Sequence, residues 1–65
     1  MNEKQILKTT RADLGLSQAE LAELIGVTRS VVANYENGRS RMSAAIFIKI
    51  LEIRKRHSLP FISLV

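Results

Sequence analysis

Residues 17–35 read S-Q-A-E-L-A-E-L-I-G-V-T-R-S-V-V-A-N-Y and contain two helix starts separated by one glycine. Ser17 is a good N-cap, and Glu20, three residues later, completes a capping box. The apolar residues that follow recur at helical spacing up to Gly26, where glycine most easily adopts the left-handed conformation that ends a helix. Thr28 can cap a second helix almost at once. The pattern predicts two short helices joined by a tight turn and crossing steeply.

Two further helices are predicted around this pair. Asn2 can cap a first helix that Gly15 ends, and Ser43 can cap a fourth. Pro60 breaks any continuation, and the apolar segment 61–65 could form a strand or a short helix. We therefore expect one all-α domain over residues 1–65, a compact bundle of four to five helices, with helices near 3–14, 18–25, 29–36 and 44–56.

The predicted fourth helix carries more apolar surface than a single buried face requires. Ile46, Ile50 and Ile53 form one row, and further apolar residues widen it. Exposed apolar patches usually mark an interface. We expect the surplus, with the apolar C-terminal segment 58–65, to form a homodimer interface made of Phe47, Ile48, Leu51, Phe61, Ile62 and Leu64.

Composition narrows the choice of partner. The 65 residues carry a formal net charge of +4 and a pI of about 10.1, which favours polyanions, although charge alone would also suit RNA or a membrane surface. The chain has no cysteine, as is typical of a reducing cytoplasm. The longest apolar run, 44–48, is far too short to cross a bilayer. We expect a cytoplasmic protein with no membrane partner.

Residues 15–39, G-L-S-Q-A-E-L-A-E-L-I-G-V-T-R-S-V-V-A-N-Y-E-N-G-R, resemble the helix-turn-helix of the lambda-repressor and Cro type, often called the XRE family. The resemblance runs from Arg11 to about Arg41 and, less distinctively, to Leu51. In that family the second helix crosses the DNA backbone while the third lies in the major groove. The resemblance implies a lambda-repressor-like fold and a DNA-binding transcriptional regulator, typically a repressor that binds a two-fold operator on double-stranded DNA as a homodimer.

Site residues follow from the same resemblance. It assigns base reading to Arg29, Ser30 and Asn34. It implies phosphate contacts from Ser17, Gln18, Thr28, Asn37, Arg39 and Arg41.

The residue pattern of the third helix agrees independently. Positions 29, 30, 33, 34 and 37 share one polar or small face, whereas Val31, Val32 and Tyr35 point the other way into the core. Arginine can bind guanine in bidentate fashion, asparagine suits adenine, and Ala33 could touch a thymine methyl. Three polar residues alone would fit an ordinary solvated face, but the flanking turn and caps favour base reading.

Charged residues elsewhere have structural interpretations. Arg11 falls in the inward-facing row of the first helix, with Leu7 and Leu14, and Glu36 ends the third helix. Proteins of this family often pair such residues in a partly buried salt bridge.

The basic turn 54–57 is interpreted as a solvated complement to the helix dipole. Glu20 and Glu23 lack the surroundings of a catalytic pair, and His57 has no nearby metal ligand. We expect no enzyme activity, no metal and no cofactor.

Two other functions stay open. The chain could be an antitoxin or adaptor that binds a protein partner, such as a toxin or another regulator, and uses DNA binding for autoregulation. It could also be the DNA-binding domain of a longer protein.

Overall fold

The computed structural model describes residues 3–57, which form four α-helices. They are α1 (Glu3–Leu14), α2 (Gln18–Ile25), α3 (Arg29–Asn37) and α4 (Ala44–Arg56). These bounds confirm the all-α prediction, with α3 ending one residue later than expected. None of the described helices is long and apolar enough to cross a membrane.

The predicted caps shape the tight turn between α2 and α3. The Ser17 hydroxyl accepts a bond from the Glu20 backbone N–H at 3.1 Å, and the Ser17 backbone N–H donates to the Glu20 carboxylate at 2.9 Å. Gly26 ends α2 with φ 75°, a left-handed value that side chains rarely tolerate. Thr28 then caps α3 by accepting from the Val31 N–H at 3.3 Å. Local chemistry thus ends one helix and starts the next within three residues of chain.

The core lies where all four helices meet. It consists of Ile6, Leu7, Leu21, Ala22, Ile25, Val32, Ile50 and Ile53. Each large apolar side chain buried here stabilises the fold by about 1.5 to 3 kcal/mol relative to exposure. Helix α3 packs against both α1 and α2. Its orientation is therefore set by packing against the core.

Arg54 departs from the sequence-based interpretation of the basic turn. Its side chain is buried, and Nη1 donates to the Thr10 hydroxyl at 3.0 Å and pairs with the Asp13 carboxylate at 3.1 Å. Position 54 shares a helix face with Ile50 and Ile53, and that face is turned toward the core. Only Lys55, Arg56 and His57 are exposed, so the solvated interpretation was wrong for Arg54.

The surplus apolar surface of α4 divides in two. Ile46 and Phe47 pack against the core, whereas Ile48 is 53% exposed and Leu51 is 38% exposed. Phe47, which was expected at the dimer interface, thus packs in part against the chain's own core. The other expected interface residues, Phe61, Ile62 and Leu64, lie outside the described residues.

Candidate nucleic-acid interface

One face of α3 is open to solvent along the helix. Arg29, Ser30 and Asn37 are exposed, while Ala33 and Asn34 are half-buried. The opposite side holds α3 to the protein through Val32 and Tyr35, which lie in or against the core. Val31, which was also expected to point into the core, is half-buried but does not belong to the side chains packed there. The structure therefore gathers the four candidate base-reading residues on one side of a firmly held helix.

An ion pair between Arg11 and Glu36 joins α1 to the C-terminal turn of α3. Arg11 Nε donates to Glu36 Oε2, and Arg11 Nη2 donates to Oε1, both at 2.8 Å. Arg11 Nη1 also donates to the Leu16 carbonyl at 3.3 Å. The Glu36 side chain is 2% exposed and that of Arg11 is 23% exposed. Two parallel bonds of this kind fix both the distance and the orientation of the two helices.

Burial and pairing act in opposite directions on Glu36. Burial alone would raise the pKa of Glu36, but hydrogen bonds from Arg11 and Gln18, with the positive charges of Arg11 and Lys8, hold that pKa below its usual value. The hydrogen bond to Glu36 raises the pKa of Arg11 against the opposing effect of its partial burial. The pair is therefore fully charged at neutral pH.

Gln18 links this ion pair to the outer face of α3. Its Nε2 donates to Glu36 Oε1 at 3.1 Å, and its Oε1 accepts from Arg29 Nη1 at 3.3 Å. The bond to Glu36 fixes which end of the amide faces Arg29, because the carboxylate can only accept. Gln18, a candidate phosphate contact, is thus hydrogen-bonded to Arg29, a candidate base contact. Sequence reasoning missed this link, since no local pattern relates positions 18 and 36.

The loop after α3 carries the remaining candidate phosphate contacts. Gly38 ends the helix with φ 75°, and the Arg39 backbone N–H donates to the Asn34 carbonyl at 2.9 Å. Asn37, Arg39 and Arg41 are exposed around this turn. Their polar groups are free to meet an anion approaching from the side of α3.

Two further candidate phosphate contacts are the capping hydroxyls at the starts of α2 and α3. Ser17 and Thr28 each accept a backbone bond through their side-chain oxygen. Each hydroxyl proton remains able to donate to a phosphate oxygen.

Within the described residues no cluster of His, Asp or Glu could hold a metal ion.

Comparison with known proteins identifies this arrangement. The sequence profile of a helix-turn-helix family matches residues 7–53, which include all four helices in whole or in part. Two proteins named antitoxin HipB, both from Escherichia coli, are 37% and 35% identical over 46 residues, or 71% of this chain and 49% and 52% of their own lengths.

A third relative is an uncharacterized HTH-type transcriptional regulator of Methanothermobacter thermautotrophicus. It is 44% identical over 36 residues, which cover 55% of this chain and 52% of the relative. The chain spans about half the length of the curated relatives it matches.

Proposed function

Because this chain belongs to the helix-turn-helix family of DNA-binding regulators, we propose that it is a sequence-specific transcriptional repressor that inserts α3 into the major groove of duplex DNA. One observation carries the proposal: the exposed face of α3 begins with Arg29, whose guanidinium is held by Gln18. Holding the side chain before binding reduces the ordering cost that a free arginine would incur. Such a residue suits bidentate recognition of guanine.

Base reading and phosphate binding divide between two sets of residues. Arg29, Ser30, Ala33 and Asn34 read base edges from the exposed face of α3. The DNA backbone is bound by residues at the start of α2 and at both ends of α3, namely Ser17, Gln18, Thr28, Asn37, Arg39 and Arg41. Phosphate contacts supply most of the affinity and set the register, whereas base contacts supply the sequence preference.

A homodimer would give this small domain enough contacts for a specific site. The exposed side chains of Ile48 and Leu51 lie one turn apart on α4 and support self-association. A two-fold dimer places its two recognition helices about 34 Å apart, one turn of DNA. The operator is then an inverted repeat.

Selection of binding sites from random duplex DNA tests the proposal. We expect an enriched inverted repeat whose half-sites are about 10 base pairs apart. Titration of that duplex and of a scrambled duplex, at several salt concentrations, measures specific and non-specific affinity separately. Equal affinity for both duplexes would contradict sequence-specific binding.

A second candidate function is that of an antitoxin that binds a protein partner and uses DNA binding for autoregulation. The support is the similarity to two proteins named antitoxin HipB. Affinity purification of the full chain from its source cells, in parallel with the DNA titration, separates the candidates. A stoichiometric complex with a different protein that binds the chain's own promoter favours the antitoxin. A chain that copurifies with no other protein and binds operators elsewhere favours the repressor.

A further inference from the structure

The first turn of α1 lies directly against the loop that follows α3. A Cβ atom added to Gly38 would be 2.7 Å from Lys4 Cδ and 3.5 Å from Lys4 Nζ. The aliphatic stem of Lys4 therefore runs across the bare backbone of Gly38, and its ammonium ends beside the same glycine. No part of the sequence pattern points to this contact between positions 4 and 38.

The charge placed there has no counterion among the described residues. Lys4 is exposed and makes no ion pair within residues 4–57. Asn37 and Arg39 flank Gly38 in the chain, and the Glu36 carboxylate, two residues before Gly38, is bonded to Arg11 and Gln18. Lys4 thus adds a positive charge to a loop that already carries Arg39 and Arg41.

Exposed positive charges on one surface attract an anion such as a DNA phosphate. We propose that Lys4 binds a backbone phosphate of duplex DNA next to those bound by Asn37 and Arg39. This inference rests on the proposed function and extends its phosphate footprint from α2 and α3 to the start of α1. Packing of the stem on Gly38 reduces the freedom that the lysine loses when its ammonium meets the phosphate.

The salt dependence of DNA binding measures the contact. Lys4→Met removes the charge and keeps an apolar stem over Gly38, whereas Lys4→Arg keeps the charge. Lys55→Met is the matched control, because Lys55 is also exposed and lies in the last turn of α4. Each full-length variant is titrated with selected operator DNA and with scrambled duplex at several salt concentrations, after its melting curve has been compared with that of the wild type.

We expect Lys4→Met to reduce the slope of log affinity against log salt by about 0.9 per protomer and to weaken both duplexes by about five- to tenfold near 0.1 M salt. Lys4→Arg restores the slope, and Lys55→Met leaves it nearly unchanged. If the wild type binds duplex DNA with a steep salt dependence and Lys4→Met matches Lys55→Met, the Lys4 contact is refuted while the proposed function stands. If the wild type binds no duplex DNA, both fail.

Discussion

Arg29 Nη1 donates a hydrogen bond to Gln18 Oε1 at 3.3 Å, so the first residue of α3 is bonded to the first residue of α2. The other end of the Gln18 amide donates to Glu36, which is held in turn by Arg11. Arg29, on the outer surface, is therefore linked through three contacts to the partly buried Arg11–Glu36 ion pair. This bond favours one orientation of the Arg29 guanidinium in the free protein.

Truncating a proposed base-reading residue and truncating a proposed phosphate-binding residue should have different effects on DNA binding. We expect Arg29→Ala and Asn34→Ala each to weaken operator binding by about 1 to 3 kcal/mol and to relax preference at single base pairs. Arg39→Ala should weaken operator and scrambled duplex by similar factors, since a phosphate contact carries no sequence information. Titration of each variant with a panel of single-base operator variants makes the comparison. An equal loss of preference in all three variants would refute the assignment.

The stability supplied by Glu36 should vanish in acid. Its pKa is lower in the folded chain than the ordinary value of 4.5, so the unfolded chain binds the proton more readily. The contribution is therefore fully present above about pH 5 and is lost as pH falls through 4.5 toward the folded pKa.

Urea unfolding of the wild type and Glu36→Gln over a range of pH measures this contribution. At neutral pH we expect the variant to be less stable by about 2 to 4 kcal/mol, somewhat under the usual cost of breaking a buried pair because Arg11 keeps some contact with water. The difference should shrink steadily below pH 4.5. A difference that stays constant down to about pH 3 would mean that Glu36 is not the titrating group.

Two arginines in the last turn of α4 should differ sharply in their effect on folding. Arg54→Met breaks the contacts with Thr10 and Asp13 and should lower the free energy of unfolding by about 2 to 4 kcal/mol. Arg56→Met removes the same charge from an exposed position and should change it by no more than about 0.5 kcal/mol. Denaturant unfolding of the wild type and both variants measures these changes in the free energy of unfolding. Similar losses would place the effect in helix-dipole electrostatics and not in the buried contacts.

Self-association should depend on α4 more than on other exposed apolar residues. We expect Ile48→Asn to raise the dimer dissociation constant at least about tenfold, because a polar side chain at a buried interface loses apolar contact. Leu24→Asn is the control, since Leu24 is 54% exposed, nearly the same as Ile48, but lies on α2. Sedimentation of both variants and the wild type at micromolar concentrations, with and without operator DNA, compares them. A monomeric wild type under both conditions would refute the dimer.

Helix boundaries were predictable because the signals that set them are local. Ser17, Thr28 and Ser43 satisfy the first free N–H groups of their helices within three residues of chain, and Gly26 and Gly38 adopt left-handed backbone at the helix ends. The polar face of α3 was likewise readable, since helical periodicity alone groups positions 29, 30, 33 and 34. The family match covers residues 7–53, which include this stretch of sequence.

The contacts that orient the site were decided by the tertiary structure. Composition made Arg54 look like a solvated helix end, yet packing of α4 on α1 buries it against Thr10 and Asp13. Gln18 and Glu36 are 18 positions apart, and Lys4 meets Gly38 across a still longer separation.

The amino-acid sequence by itself determined where each helix starts, stops and turns its apolar side, because those preferences act within a turn or two of chain. Which polar side chains meet was determined only when the shared core fixed the angles between helices, because hydrogen bonds and ion pairs require distances of about 3 Å that no local pattern specifies.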